Sequence, residues 1–124
     1  SQETLDAREH YVYQEGRAVY RAAVLSMLTS TQNVMKRNNL TGNDIDFLVP
    51  HQANLRIIEA ISKRIEVPDD KVLINIEYRG NTSAASIPLC LDENRNRLHK
   101  GDKIVMTAFG AGFTWGAMYL IWSL

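Results

Sequence analysis

The sequence predicts an α/β fold: a mixed, mostly parallel sheet with helices packed on it and an antiparallel hairpin at the carboxyl end. Two observations carry this expectation. Stretches of helical periodicity alternate with short apolar runs in the order helix, strand, helix, strand, helix, strand, strand, which argues for parallel strands covered by helices. The last 21 positions, 104–124, hold no charged residue and are rich in the residues that favour strands.

Taken in order, His10 to Tyr13 reads as a short strand. From Gly16 to Asn39 the positions Ala18, Val19, Ala22, Ala23, Leu25, Ser26, Met27 and Val34 recur at helical spacing, with Asn38-Asn39 as the stop. Asp46 to Pro50 is a short apolar strand. Asn54 is placed to cap a second helix running to about Glu66, whose inner face is Leu55, Ile57, Ile58, Ile61 and Ile65. Val67 to Asp70 is a turn. Val72 to Tyr78 reads as a strand broken by Gly80. A third helix starts at Thr82 or Ser83 and runs to Leu98, with Pro88 tolerated in its first turns. Lys100-Gly101-Asp102 then leads into the final strand pair.

The uncharged tail has a rival reading as a membrane helix. Its length is close to a span, and Gly112 and Gly116 have the small-xxx-small spacing of helix pairs in lipid. Three glycines between 110 and 116 weaken a helix, so two strands joined by Gly110-Ala111-Gly112 are expected instead, and no membrane. At 124 residues the chain is one domain's worth. Its 14 basic and 14 acidic residues balance, which removes the electrostatic footprint of a general nucleic-acid binder. One cysteine excludes an internal disulfide, a cysteine-rich zinc site and an iron–sulfur centre. It also fits a reducing compartment. His10 and His99 lack partners at metal-ligand spacing and are expected at the surface, so no metal site is expected. Ser1 to Glu15 is polar and lacks a signal-peptide core. With Ser1 in place of Met, a piece of a longer chain is expected.

In open parallel sheets, ligands gather beyond the carboxyl ends of the strands. Three such ends carry chemistry here: His51 after the first strand, Asn81 after the second, and Phe109-Gly-Ala-Gly112 after the third. Parallel strands put these loops on one rim. An imidazole and a carboxamide there supply two donors to one oxygen that becomes an anion during reaction, an enolate or a tetrahedral oxyanion. A glycine-rich turn adds a backbone N–H at close approach. Taken singly, His51 also reads as a helix-flanking histidine bonded to a carbonyl, and Asn81 as a turn residue.

The strings Pro50-His-Gln-Ala-Asn-Leu-Arg-Ile57, Gly80-Asn-Thr-Ser-Ala-Ala-Ser-Ile-Pro88 and Ala108-Phe-Gly-Ala-Gly-Phe-Thr-Trp-Gly116 resemble three signatures of the β-ketoacyl-acyl carrier protein synthase III family. The resemblance runs in order from about Tyr13 to the end. It implies a thiolase-like half-domain, the carboxyl-terminal half of an acyltransferase of fatty-acid synthesis, with 1–15 as a lead-in and 16–124 as the domain. It implies a decarboxylative condensation of acyl-CoA with malonyl-acyl carrier protein, no cofactor beyond those thioester substrates, a cytoplasmic location, and a homodimer when full length. His51 and Asn81 match the catalytic pair that stabilises the enolate, and the Ala111 N–H matches the loop donor facing the acyl-enzyme oxygen, where many members have glycine. Asn54 matches a pantetheine contact, Gly16 and Tyr20 fall where the family meets the CoA arm, and Arg56 matches a residue that meets the acidic carrier protein.

The family's nucleophilic cysteine belongs to its amino-terminal half, which must then be a partner of this piece. Cys90, among apolar neighbours, is expected to be buried and inert, so the piece alone is expected to be inactive. The resemblance also places a central strand before Ser1, and its loss is expected to open two backbone edges inside the sheet. Two other functions fit the same strings: a related thiolase-fold enzyme making polyketide or other acyl products, and a non-catalytic module that binds acyl-CoA or carrier protein.

Overall fold

The computed structural model describes residues 1–11 and 13–124. A three-stranded sheet of order β1-β2-β3 forms its centre. β1 (Phe47–Pro50) runs parallel to β2 (Lys103–Gly110), and β2 pairs antiparallel with β3 (Thr114–Ile121). Among the described residues five α-helices accompany it: α1 (Gln2–Asp6), α2 (Gly16–Arg37), α3 (Leu55–Arg64), α4 (Ile76–Arg79) and α5 (Ser86–Glu93). The mixed sheet and the terminal hairpin are as expected.

Alternation along the strands decides which helix covers which face. Leu48, Val105 and Phe109 point to the side shared with Ala23, Met27, Ile58 and Ile61 of α2 and α3. Val49, Ile104 and Met106 point to the other side, with Cys90 of α5, Leu73 and Leu98. Helices on both faces bury the middle of the β1–β2 pair, Leu48, Val49, Ile104 and Val105 being 0% exposed. Each fully buried Leu or Ile there contributes about 1.5–3 kcal/mol relative to an exposed one.

α2 ends where two asparagines stop it. The Asn38 side chain donates to Val34 O at 2.8 Å, and Asn39 takes φ +54°, a left-handed value that asparagine tolerates. Lys36 and Arg37 sit in its last turn, favourable for the helix dipole. Its buried face is Ala23, Val24, Met27, Thr31 and Met35. Leu25, one of the positions at helical spacing, lies 67% exposed: the burial stripe follows the 23, 27, 31, 35 row, and Leu25 falls off it. α3 agrees better. Asn54 Oδ1 accepts the Arg56 N–H at 2.9 Å as the cap, and Ile57, Ile58, Ile61 and Ile65 are all buried. Between α2 and β1, Gly42 packs so close to the end of α3 that a Cβ would run into the Ile65 and Glu66 carbonyl oxygens.

Four expectations fail. Val72 to Tyr78 is not a strand. It makes one parallel bridge, Leu48↔Val72, with Leu73 N–H donating to Leu48 O at 2.9 Å, and then turns into α4. The cause is Gln52, 0% exposed. Its Oε1 accepts the N–H groups of Asn75 (3.0 Å) and Ile76 (3.2 Å), and its Nε2 donates to Leu73 O (3.2 Å) and Pro50 O (2.8 Å). A side chain thus takes the bonds a strand would have made. Second, His10 and Tyr11 lie in a turn and a bend and Tyr13 has no regular structure, so they form no strand; Val12 lies outside the described residues. Third, the helix expected from Thr82 or Ser83 to Leu98 divides into a single turn at Ser83–Ala85, α5, and another turn at Arg95–Arg97. Asn94 breaks it, its side chain donating back to Cys90 O at 2.8 Å. Fourth, no edges open inside the sheet, because the ladder is continuous from β1 through β2 to β3.

Candidate active site

The carboxyl ends of β1 and β2 meet at one rim, where Pro50 is in register with Thr107. The His51 N–H continues the ladder to Thr107 O at 2.8 Å, so His51 leaves the sheet in a fixed direction. Asn81 reaches the same rim from the end of α4. Gly80 precedes it with φ +68° and ψ −161°, a backbone state close to glycine-only, which redirects the chain there. The β2–β3 turn brings Ala111 to the rim from the third side.

These three positions line one open cavity of about 1030 Å³. Ala23 and Met27 of α2 form its back wall, and Phe109 and Phe113 its hairpin side, their ring centroids 5.0 Å apart. Its scale is at the upper end of small-molecule clefts, and its lining is largely apolar apart from the donors.

The donors differ in their surroundings. His51 is partly buried, and burial holds its imidazole below the ordinary pKa, so the ring is neutral at pH 7. Asn81 is exposed. Its Oδ1 accepts the Ser83 N–H at 2.9 Å, which occupies the carbonyl end of the amide and leaves Nδ2 as the end with donors to offer. At Ala111 the carbonyl accepts from Thr114 Oγ1 at 3.0 Å, and its N–H makes no backbone hydrogen bond among the described residues. Three loops therefore bring residues that carry hydrogen-bond donors to the wall of one cavity.

The remaining predicted residues stand around this core. Asn54 caps α3 and is exposed, as is Arg56, whose guanidinium makes no ion pair among the described residues. Gly16 and Tyr20 lie on the exposed side of α2 and are not part of the cavity wall, although Ala18 and Val19 between them are. Cys90 is 0% exposed, and burial pushes its thiol up to about 11, as expected of an inert cysteine. His10 and His99 are exposed. Among the described residues no helix is long and apolar enough to cross a membrane.

Two residues of this region escaped sequence reasoning. Gln52 ties the end of β1 to the segment that leads to Asn81, and Ser86 Oγ lies 2.6 Å from His51 Nδ1. Both sit inside the quoted strings, but no spacing rule distinguishes a buried polar residue that bonds across the fold from its solvated neighbours. Glu93 is a third. Its carboxylate accepts from Asn75 Nδ2 (2.9 Å), Tyr78 OH (3.1 Å) and Arg79 Nε (2.5 Å), clamping the approach to Asn81.

Residues 35–122 match the family model described as 3-oxoacyl-[acyl-carrier-protein (ACP)] synthase III C terminal. The chain is 58% identical, over 121 residues, to a β-ketoacyl-[acyl-carrier-protein] synthase III of Porphyromonas gingivalis, covering 98% of this chain and 36% of that protein. The crystal structure of a β-ketoacyl-[acyl carrier protein] synthase III from Thermus thermophilus superimposes with a TM-score of 0.85 at 45% identity, over 90% of this chain and 35% of that one. A 3-oxoacyl-[acyl-carrier-protein] synthase III from Aquifex aeolicus gives 0.87 at 40% identity, over 90% and 37%. The chain thus spans little more than a third of the length of the relatives it matches. With the strings, the thiolase-like topology and these likenesses in agreement, the chain belongs to the family of 3-oxoacyl-acyl carrier protein synthase III carboxyl-terminal domains.

Proposed function

We propose that this segment supplies the enolate-stabilising half of a β-ketoacyl-acyl carrier protein synthase III, which condenses acyl-CoA with malonyl-acyl carrier protein to start fatty-acid synthesis. Residues 1–15 are its lead-in and 16–124 its domain. The observation that supports this reading most is that His51, Asn81 and Ala111, from three separate loops, line one cavity.

The chemistry follows from where charge develops. The amino-terminal half provides a cysteine that carries the acyl group. When malonyl-acyl carrier protein loses carbon dioxide, the electron pair of the breaking C–C bond moves into the thioester and places negative charge on its oxygen. Neutral His51 and the Asn81 amide each donate to that oxygen. Donors already in place cost no reorganisation as the charge appears. The enolate carbon then attacks the acyl-cysteine carbonyl, whose oxygen receives the Ala111 N–H, and the cysteine leaves as thiolate. No cofactor enters. The cavity has room for a pantetheine arm, with Asn54 near its path and Gly16 and Tyr20 toward the more distant CoA. Arg56, exposed at the start of α3, is placed to steer the acidic carrier protein. The complete enzyme works in the cytoplasm as a homodimer.

In the full-length enzyme, His51→Ala and Asn81→Ala should each reduce malonyl-acyl carrier protein decarboxylation by about 10²–10³-fold, as loss of one oxyanion donor does. Transfer of acyl from CoA to the cysteine, followed as acyl-enzyme formation, should suffer much less. Equal loss in both steps would refute the assigned roles.

A further inference from the structure

A neutral imidazole donates from only one of its nitrogens, so a donor histidine works in one tautomer and fails in the other. The atoms around His51 choose between them. Its Nδ1 lies 2.6 Å from Ser86 Oγ. Ser86 is 1% exposed at the start of α5, and its oxygen also accepts the Gln52 backbone N–H at 3.3 Å. With that lone pair engaged, the buried hydroxyl proton needs an acceptor, and among the described residues Ser86 Oγ has no other partner but His51 Nδ1. A proton on Nδ1 would reverse the bond and strand the serine hydrogen without an acceptor, which buried polar groups avoid.

We infer that Ser86 is a positioning residue that holds His51 as the Nε2–H tautomer, with that N–H toward the cavity. The chain of bonds runs from the Gln52 N–H to Ser86 Oγ, and from the Ser86 hydroxyl to His51 Nδ1. The residue is held at two points, its backbone by the N–H on Thr107 O and its ring by the Nδ1 contact with Ser86 Oγ. Burial works in the same direction by keeping the imidazole neutral. Tyr13 and Glu15, ahead of α2, are the titratable side chains that share the described cavity wall with His51; the strands and α5 present none to it there. The catalytic consequence rests on the reading of His51 as an enolate donor, whereas the tautomer itself does not.

The test uses the full-length enzyme labelled with ¹⁵N-histidine. In the wild type, the His51 ring at pH 7.5 should show a bare Nδ1 and a protonated Nε2. Ser86→Ala removes the hydroxyl that stabilises the neutral ring, so the His51 titration midpoint should rise and the tautomers should mix. Decarboxylation kcat should fall about tenfold, the equivalent of one lost hydrogen bond, with KM for malonyl-acyl carrier protein unchanged. Ser86→Thr, which keeps a hydroxyl, should recover most of the rate. A wild-type ring with its proton on Nδ1 would overturn the inference whatever the variants do. So would a Ser86→Ala enzyme with unchanged midpoint and kcat. Full decarboxylation by His51→Ala would instead refute the donor role while leaving the tautomer result standing.

Discussion

The two donors of the cavity are supported in opposite ways. His51 is held from inside the fold: it continues the β1–β2 ladder, bonds to buried Ser86, and is followed by Gln52, whose amide is fully engaged. Asn81 is held from outside. It follows a glycine in a positive-φ state, and the segment before it is clamped at the surface by the Glu93 carboxylate. The comparison teaches that one pocket can rest partly on core packing and partly on a polar clamp. The two supports should answer to different perturbations.

Gln52 is where the supports join, so its loss should have the largest effect. Gln52→Leu keeps the volume but leaves the Asn75 and Ile76 N–H groups and the Pro50 and Leu73 carbonyls short of partners. In the full-length enzyme this should cost at least about 3 kcal/mol, read from the urea midpoint. It should abolish measurable condensation. A stable, active Gln52→Leu enzyme would mean that the arms are held independently.

Glu93→Gln should act on the Asn81 arm alone. It weakens three hydrogen bonds without touching His51, so decarboxylation should fall a few-fold while the His51 ring titrates as in the wild type. The clamp also has a pH window. Its bonds, that of Asn75 foremost, hold the Glu93 carboxyl below the ordinary carboxylate range. The clamp is therefore complete above that range and lost only as pH falls through the lowered value.

The smallest effect belongs to the His51 arm in mild acid. Burial lowers its pKa, so between the lowered value and the ordinary value of about 6.5 the unfolded chain binds the proton that the folded one refuses. Stability should therefore rise with pH across that window and level off above it. Urea midpoints between pH 5 and 7.5 should show the slope in the wild type and a shallower one in His51→Gln. Identical slopes would mean that the imidazole is not the group that makes this arm acid-sensitive.

Much of this was legible in the residue order, for identifiable reasons. α3 announced itself through Asn54 and the isoleucines at helical spacing, and the hairpin through an uncharged tail interrupted by glycines. Parallel strands placed His51 and the β2–β3 turn on a shared rim, whereas Asn81 reaches it from the end of α4 and not from the strand end the sequence suggested. What stayed hidden depends on side chains bonding across the fold. Val72 to Tyr78 has the composition of a strand, yet a glutamine more than twenty positions earlier satisfies its backbone and turns it into a helix. Leu25 stands at helical spacing yet outside the core because the apolar positions of α2 support more than one stripe, and only the sheet's position selects among them. Ser86 and Glu93 are ordinary polar residues in sequence, and their roles exist only once α5 is packed.

Cys90 has a practical consequence for work on the complete enzyme. Sealed between α5 and the sheet, with its thiol pushed up to about 11, it should stay silent toward alkylating reagents at neutral pH for as long as the protein is folded. In a full-length enzyme of the relatives' size, any label taken up in the native state would then report on sulfhydryls outside this segment. Delayed labelling of this one becomes a clock for unfolding of the segment.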